Sequence, residues 1–281
     1  TTELVEQGYG LTDVLFVDFQ ARIPLVEEDK MLNYVMVCML EDGLSSPANI
    51  SRIVASGKTL LTQAAGASIL AFGHAYGAYQ EIGKMMDGIL ARQKKEGKPL
   101  SDVVREVIKS RLDDPALGVS DLMLKDPMAK RMIARAEKLG VAGQYVSLMK
   151  EIVKAVKKLS KKPVDIDLLG ATGAVMFDLG FTPEATWGIL AVTRAFAAGA
   201  HYCEEIEREE PVCLGQTLTP EKWYDGPDDR PVPTLKERKK ITKAMVAQTP
   251  EEWKQIFLER QKIKGSGWAI VEEIDDPKRK I

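Results

Sequence analysis

The stretch AVTRAFAAGAHYCEE, residues 191–205, is the most informative segment of the sequence. It belongs to an alanine-rich helix predicted over residues 183–208, and small side chains allow a helix to approach its neighbours closely. We therefore expect this helix to be buried. Arg194 lies within it, and an unpaired guanidinium is very costly to bury. Its partner is then either an internal carboxylate or the carboxylate of a bound substrate.

Helix-starting signals recur elsewhere in the chain. Threonine, proline and glutamate follow one another at Thr182, Thr219 and Thr249. The threonine caps free amides, the proline presets the first helical φ, and the acid complements the helix dipole. The other predicted helices cover residues 30–42, 47–57, 60–72, 77–93, 127–139, 143–160 and 250–264. The one candidate strand spans residues 13–18, so the class is predicted to be mainly α.

The composition argues against several classes of function. The chain has 281 residues and a net charge of −2, so it offers no broad attraction to nucleic acid or to an anionic membrane. Its three cysteines lack C-x-x-C spacing, which argues against a disulfide framework and a zinc site, and no metal is expected. No apolar run reaches the roughly 18 residues of a membrane span. No signal peptide is visible, and a cytoplasmic location is predicted.

A glycine-rich turn, AFGHAYGAYQEIG at residues 71–83, contains one of only two histidines in the chain. Histidine is often partly buried. His74 therefore either bonds a backbone carbonyl in the core or faces a small ligand. Tyr76 follows two residues later, where its phenol either donates a hydrogen bond to a ligand oxygen or packs as an ordinary aromatic.

Five stretches in order resemble the citrate synthase superfamily, including its shorter citryl-CoA lyase branch. EDGLSSPANISRIVAS (41–56) is similar to that family's acid-Gly-Leu segment, and GHAYGAYQE (73–81) to its Gly-x-x-His-Gly-Gly-Ala loop. LGVSDLMLKDPMAKRM (117–132) is similar to its Gly-His-Arg segment, which closes on Asp-Pro-x-Ala-Lys. Residues 191–205 resemble its Ala-Arg-x-x-Gly-x-x-Ala-His helix, and TPEKWYDGPDDRPVP (219–233) its C-terminal Arg-Pro-x-x-x-Tyr-x-Gly-Pro.

The resemblance implies a citrate-synthase-like, mostly helical fold with the active site in a cleft. Residues 1–77 and 183–281 would form a large, discontinuous helical domain, and residues 78–182 a small inserted domain. A homodimer or higher homo-oligomer is implied, with apolar helix faces around residues 35–70 buried against the partner. The implied cofactor is coenzyme A, as part of a thioester substrate or product, together with a carboxylic acid.

Residue by residue, the resemblance leaves the family's catalytic set incomplete. The positions of the family's two histidines fall on Tyr76 and Val119, and that of the arginine beside the second histidine falls on Ser120. The aspartate base falls on Leu169, and the partner-subunit arginine on Thr219. The helix arginine is retained as Arg194, and the histidine seven residues later as His201. The resemblance therefore supports the fold more directly than the family's usual mechanism.

The resemblance also implies roles for individual residues. His74 and Tyr76 would stabilise an oxyanion, and Arg194 would bind a substrate carboxylate. His201 is a second substrate-binding candidate, with a structural role or a dimer contact as the alternative. The backbone amides of Gly118, Val119 and Ser120 and the charge of Lys125 would bind the phosphates of coenzyme A.

Two carboxylates lie near the substituted base, in PVDIDLLGATG at residues 163–173. Asp167 is the catalytic candidate, and Asp165 lies two residues before it. The alternative is that these acids are solvated or cap the helix that follows. Asp178 lies in an apolar run and requires a polar partner.

Two functions of different classes follow. The first is an enzyme that makes or cleaves a carbon–carbon bond in a 3-hydroxyacyl-CoA, in the manner of citryl-CoA lyase or citrate synthase. Related acyl-CoA thioesterase chemistry is a variant of this reading. The second is a non-catalytic homologue, a CoA-binding or partner subunit that has lost its acid–base groups.

Overall fold

The structure is a computed structural model, and it describes residues 2–40, 45–73, 77–112, 114–121, 127–208 and 236. The chain divides into two compact units, Thr1–Pro211 and Val212–Ile281. All described residues except Lys236 belong to the first unit. The helix predicted over residues 250–264 lies outside the described residues, and the division into a large and a small domain stays a prediction.

The first unit is built almost entirely from helices, which confirms the predicted class. In chain order, the helices and strands are α1 (Thr2–Glu6), α2 (Leu11–Gln20), α3 (Val26–Leu40), α4 (Ser46–Ser56), α5 (Leu61–Ala71), α6 (Tyr79–Glu96), α7 (Leu100–Ile108), β1 (Val119–Asp121), α8 (Pro127–Leu139), α9 (Gln144–Ser160), β2 (Val164–Ile166), α10 (Leu168–Asp178) and α11 (Pro183–Arg208). A single 3₁₀ turn, Pro115–Leu117, precedes β1.

The helices predicted within residues 30–208 are confirmed, with ends shifted by a few residues. The start of α11 shows why the local signals were reliable. Thr182 accepts a hydrogen bond on its hydroxyl oxygen from the Ala185 amide at 3.1 Å, as its place before Pro183 predicts.

The strand predicted over residues 13–18 is wrong, because these residues lie within α2. The Asp13 carboxylate accepts a hydrogen bond from the Gly10 amide at 2.8 Å and so satisfies a donor at the helix start. Phe16 is fully buried, with 0% of its surface exposed. Tertiary burial of one helix face therefore outweighs the short alternating pattern.

Helix α10 lies in the core of the unit, and its residues Gly170–Phe177 are all buried. It packs against α8 and α9. The hydroxyl of Thr172, within α10, donates to the sulfur of Met132 at 3.4 Å. A helix apolar on all sides is typical of a core position.

Helix α11 packs along α3, α4 and α5. The Tyr202 hydroxyl donates to the carbonyl of Thr59 at 2.6 Å, and the Trp187 indole N–H donates to the carbonyl of Phe72 at 2.9 Å. Thr59 and Phe72 flank the two ends of α5. The two helices therefore run antiparallel, and the N-terminal half of α11 lies beside the end of α5.

Candidate active site

The predicted coenzyme A segment and the predicted base meet at the edge of a small antiparallel sheet. Strands β1 and β2 pair in the register Val119–Ile166, Ser120–Asp165 and Asp121–Val164. Just outside the sheet, the Asp167 amide donates to the carbonyl of Gly118 at 3.1 Å. Gly118 has a φ of +71°, and a Cβ built on it would lie 2.5 Å from the Cα of Gly170. Only glycine permits this close approach of the segment to α10.

Asp167 is the N-cap of α10. Its Oδ1 accepts a hydrogen bond from the Gly170 amide at 2.8 Å. Burial raises the pKa of Asp167 above its usual range, against the opposing effect of hydrogen bonds from the Gly170 and Leu169 amides. Such a carboxyl retains its proton to higher pH than an exposed one, which is a property of groups that transfer protons.

Asp165 has a different environment two residues earlier. Burial acts to raise the pKa of Asp165, but hydrogen bonds from the Lys130 ammonium and the Ile166 amide, together with the charge of Lys157, lower it overall. Its carboxylate lies 2.5 Å from the Lys130 Nζ and 3.7 Å from the Lys157 Nζ. Asp165 is thus held as an anion, so the two neighbouring acids have distinct proton affinities.

Arg194 is buried in the N-terminal half of α11, with 5% of its surface exposed. Its guanidinium carbon lies 5.9 Å from the centre of the Phe72 ring, within the range of a cation–π contact. Phe72 is itself only 1% exposed, and it lies two residues before His74 in the sequence. The cation proposed to bind substrate and the start of the histidine segment are therefore neighbours.

His74, Tyr76 and Lys125 lie outside the described residues, as does Thr219. The residues that flank the first two are described. The Gly77 amide donates to the carbonyl of Gly73 at 2.9 Å, so the chain before and after residues 74–76 is joined by one backbone hydrogen bond.

His201 lies in an ion-pair cluster between α11 and α4. The Arg52 guanidinium donates to the His201 Nδ1 at 3.2 Å and to Glu205 at 3.3 Å, and it also pairs with Glu204. Because arginine only donates, the His201 Nδ1 acts as the acceptor. Seven residues of helix rise place His201 about 10 Å along the axis from Arg194.

Helix α6 connects the two parts of the candidate site. It begins at Tyr79, just after the histidine segment, and Tyr79 is fully buried at 0% exposure. A Cβ on Gly118 would lie 2.9 Å from the Cδ1 of Ile82 in α6. The helix that follows His74 therefore packs directly on the glycine next to Asp167.

Two contributions to the site could not be found by motif matching. One is Lys130, which lies in the quoted Asp-Pro-x-Ala-Lys signal but whose pairing with Asp165 needed the fold. The other is Trp187, whose contacts with Phe72 and Gly77 join distant parts of the sequence and carry no local signal.

In the part of the chain that the structure describes, no group of three or more His, Cys, Asp or Glu side chains could hold a metal ion. None of the helices described combines the length and the apolar character needed to cross a bilayer.

The fold is helical and citrate-synthase-like, and it places Gly118, in the segment predicted to bind coenzyme A, beside the partly buried Asp167. Residues 14–213 match the family model described as the citrate synthase C-terminal domain. The chain belongs to the citrate synthase family. Among curated proteins, none matches the sequence.

Solved structures share the fold. A citryl-CoA lyase from Hydrogenobacter thermophilus has a TM-score of 0.71 and 23% identity, covering 85% of this chain and 91% of that one. A citrate synthase from Thermotoga maritima has a TM-score of 0.63 and 15% identity, covering 81% of this chain and 60% of that one. An ATP citrate lyase from Methanosaeta concilii, in complex with (3S)-citryl-CoA as an aspartate-to-alanine variant, has a TM-score of 0.58 and 13% identity, covering 85% of this chain and 39% of that one.

Proposed function

We propose that the protein makes or cleaves a carbon–carbon bond in a 3-hydroxyacyl-CoA of the citryl-CoA type. The observation that carries the proposal is the junction of Gly118 with Asp167. There the carbonyl of Gly118, in a segment similar to the family's coenzyme A loop, accepts a hydrogen bond from the backbone amide of the partly buried Asp167. If coenzyme A binds along this segment, the junction would bring its thioester close to the proposed proton-transfer group. The complexes of related structures with citryl-CoA, or with citrate and coenzyme A, support the substrate class.

Asp167 is the proposed proton-transfer group. In the cleavage direction, the 3-hydroxyl gives its proton to a water molecule and becomes the ketone carbonyl, while the carbon–carbon bond breaks and its electron pair forms the enolate of the acyl thioester. The Asp167 carboxyl then protonates the enolate carbon, and in the opposite direction its carboxylate removes that proton. Burial raises the pKa of Asp167, and a carboxyl that holds its proton more tightly than an exposed one suits a proton-transfer role.

Arg194, His74 and Tyr76 complete the proposed set. Arg194 binds a carboxylate of the acid, with His201 as the further binding candidate from the sequence. His74 and Tyr76 donate hydrogen bonds to the developing oxyanion. The contact of Arg194 with Phe72, just before His74, supports a shared substrate position for these residues.

Coenzyme A is proposed to bind along Gly118, Val119 and Ser120, with Lys125 facing a phosphate. Within the described residues, β1 is paired only with β2, so its second edge offers backbone groups that are not used by the sheet. Val119 and Ser120 are partly exposed, as a segment that contacts a ligand must be.

Product analysis tests the proposal directly. Citryl-CoA is incubated with the protein, and oxaloacetate, acetyl-CoA and free thiol are followed separately. Carbon–carbon cleavage releases oxaloacetate and acetyl-CoA without free thiol. A thioesterase would release free thiol and citrate instead. His74→Ala and Asp167→Asn should lower cleavage at least about 100-fold if they act as proposed. Background turnover in the unaltered protein and in both variants would favour a non-catalytic, CoA-binding homologue.

A second copy of the chain is the proposed partner, as a homodimer or higher homo-oligomer. An apolar cavity of about 320 Å³ between α2, α3 and α11 is lined by Phe19, Met36 and Phe196, among others. Phe196 and the neighbouring Val192 are 59% and 53% exposed. Contiguous exposed apolar side chains are typical of subunit interfaces.

Light scattering after gel filtration tests the assembly. Phe196→Asp should shift the protein toward monomer, because a charge in a desolvated interface is unfavourable. Lys154→Gln, at a side chain of α9 that is 70% exposed, also makes the net charge more negative by one and should leave the mass unchanged. An unaltered protein that elutes as a monomer would contradict the proposal. The cytoplasmic location also remains part of the proposal.

A further inference from the structure

A trough with a cavity volume of about 320 Å³ lies between α8, α9 and β2. Its floor is aliphatic: Ile133 and Ala134 come from α8, Val153 from α9 and Ile166 from β2. The volume is at the lower end of the range for small-molecule sites, which is roughly 300–1,000 Å³. A trough of this size and lining suits a short hydrocarbon group.

Ion pairs join the walls of this trough above its floor. The Lys150 ammonium on α9 pairs with Glu137 on α8, and the Lys130 ammonium on α8 lies 2.5 Å from the Asp165 carboxylate on β2. All four of these residues line the trough. Each of the two acids is thus already paired with a lysine, so neither one strongly opposes the approach of an anionic ligand.

The lysines of α9 add positive charge beside the trough. Lys150, Lys154 and Lys158 are four residues apart, so they follow one another along one row of the helix surface. Lys154 lines the trough, its side chain is 70% exposed, and it pairs with Glu151 of its own helix at 2.7 Å. Among the described residues, no carboxylate pairs with Lys158, which is exposed. An aliphatic floor is therefore bordered by ammonium groups that can bind an anion.

We propose that the trough binds a free medium-chain carboxylate, with the hydrocarbon chain on the aliphatic floor and the anionic head at Lys154 and Lys158. This proposal is independent of the proposed function. A heterocycle such as adenine fits the floor less well, because isoleucine, valine and alanine side chains offer no donor or acceptor to its ring nitrogens. A hydrocarbon chain loses no hydrogen bonds when it is buried there.

Equilibrium dialysis with ligands that share one chain tests the role of charge. Octanoate, 1-octanol and octylammonium differ only in the head group. Octanoate should bind about threefold more tightly than octanol and at least about tenfold more tightly than octylammonium, because the lysine row attracts only the anion. Decanoate should bind about fivefold more tightly than octanoate, since two further CH₂ groups become partly buried. Equal binding of octanoate and octylammonium, or no binding of millimolar decanoate, would overturn the proposal.

Two sets of variants test whether the ligand binds in this trough. Ala134→Phe fills the trough from an exposed position of α8, and its control, Ala91→Phe, places the same ring at an exposed position of α6. Ala134→Phe should weaken decanoate binding at least about tenfold, because the ring occupies the place of the chain. Ala91→Phe should leave binding unchanged. Thermal unfolding of both variants near the temperature of the unaltered protein shows that each is folded.

The lysine row is tested by removing its charges. Lys154→Gln combined with Lys158→Gln should weaken octanoate binding about fivefold, since two exposed attractions to the carboxylate are lost. The control combines Lys94→Gln with Lys95→Gln, which changes the net charge equally in the exposed last turn of α6. If Ala134→Phe and the lysine variant both bind decanoate as the unaltered protein does, the ligand binds elsewhere and the proposal is wrong.

Sedimentation with phosphatidylglycerol vesicles distinguishes a free carboxylate from a membrane lipid, since both carry an anionic head and a hydrocarbon chain. The protein should remain in the supernatant. Vesicle binding that Ala134→Phe abolishes would assign the trough to a lipid surface and overturn the proposal of a free ligand. None of these measurements uses citryl-CoA cleavage, so failure of the proposed function would leave their outcome unaffected.

Discussion

Replacing Asp167 in two ways separates its structural contribution from its proposed catalytic one. The Asp167 side chain caps α10 through a 2.8 Å hydrogen bond from the Gly170 amide. Asparagine carries the same acceptor oxygen and is among the best N-cap residues, whereas alanine carries none. Asp167→Asn therefore keeps the cap and removes the titratable proton, and Asp167→Ala removes both.

The expected stability changes follow from this one hydrogen bond. Loss of an N-cap acceptor costs about 0.5–2 kcal/mol, and a buried amide left without a partner costs about 1–3 kcal/mol. Both ranges describe the same lost bond, so we expect Asp167→Ala to lower the free energy of unfolding by about 2 kcal/mol. For Asp167→Asn we expect a change within about 0.5 kcal/mol.

The pH dependence has a definite sign. Burial raises the pKa of Asp167 in the folded protein, so the folded state favours the protonated carboxyl. The stabilising contribution of that preference is complete at pH values below the unfolded-state pKa and is lost as pH rises through the folded-state pKa. Asp167→Asn cannot ionise. Its free energy of unfolding should therefore rise relative to the unaltered protein as pH increases across this window.

Urea unfolding at several pH values and citryl-CoA cleavage are the two assays. Asp167→Asn should cleave at least about 100-fold more slowly while unfolding at nearly the same urea concentration. Near-normal activity in Asp167→Asn would remove this residue from the mechanism. Equal stability of the asparagine and alanine variants would show that the cap is energetically unimportant.

Three further predictions concern stability and titration. Gly118→Ala should lower the free energy of unfolding by more than the roughly 1 kcal/mol that its φ of +71° alone implies, because the added Cβ would contact the α10 backbone. Urea unfolding measures this change. The control is Gly97→Ala, because Gly97 has a similar φ of +63° but a Cβ there would have nothing within 4 Å. Asp178→Ala should lower it by about 3 kcal/mol in the same assay, because the carboxylate accepts hydrogen bonds from three amides at the start of α9. Burial, followed by a hydrogen bond to Asp87, raises the pKa of Tyr145 to about 12, so an alkaline absorbance titration should show one tyrosine that ionises late and that Tyr145→Phe removes. The protonated Tyr145 stabilises the folded state fully below the usual tyrosine pKa, and this stabilisation is lost as pH rises through about 12.

The sequence was a good guide to helices because their ends carry local chemistry. The hydroxyl of Thr182 caps α11 as its place before a proline predicts. The same reasoning was wrong at residues 13–18, where a short alternating run lies in a helix whose inner face is buried. It also gave no helix at Leu100–Ile108, which the structure places as α7. Local patterns of this length are overridden by tertiary packing.

The candidate site was less accessible from sequence because its geometry is made by tertiary contacts. Counting along the family pattern placed the base position on Leu169, which has no proton to transfer. The sequence offered Asp167 either as a catalytic group or as a helix cap. The structure shows the cap, and it also shows the neighbouring Gly118 carbonyl contact that no spacing rule reveals. A cap and a proton-transfer group are compatible, because a carboxylate has two oxygens and the Gly170 amide donates to Oδ1.

Because the positions of the family's two histidines fall on Tyr76 and Val119, the Asp167 variants test whether this carboxyl transfers a proton without them. In this structure Gly118 lies against the backbone of α10, and the Arg194 guanidinium lies against the Phe72 ring. Helix α6 joins these two contacts, since Ile82 packs at Gly118 while the helix begins beside Gly77. If chemistry is retained, we expect proton transfer to depend on Asp167 rather than on the substituted base position at Leu169, and carboxylate binding to depend on Arg194.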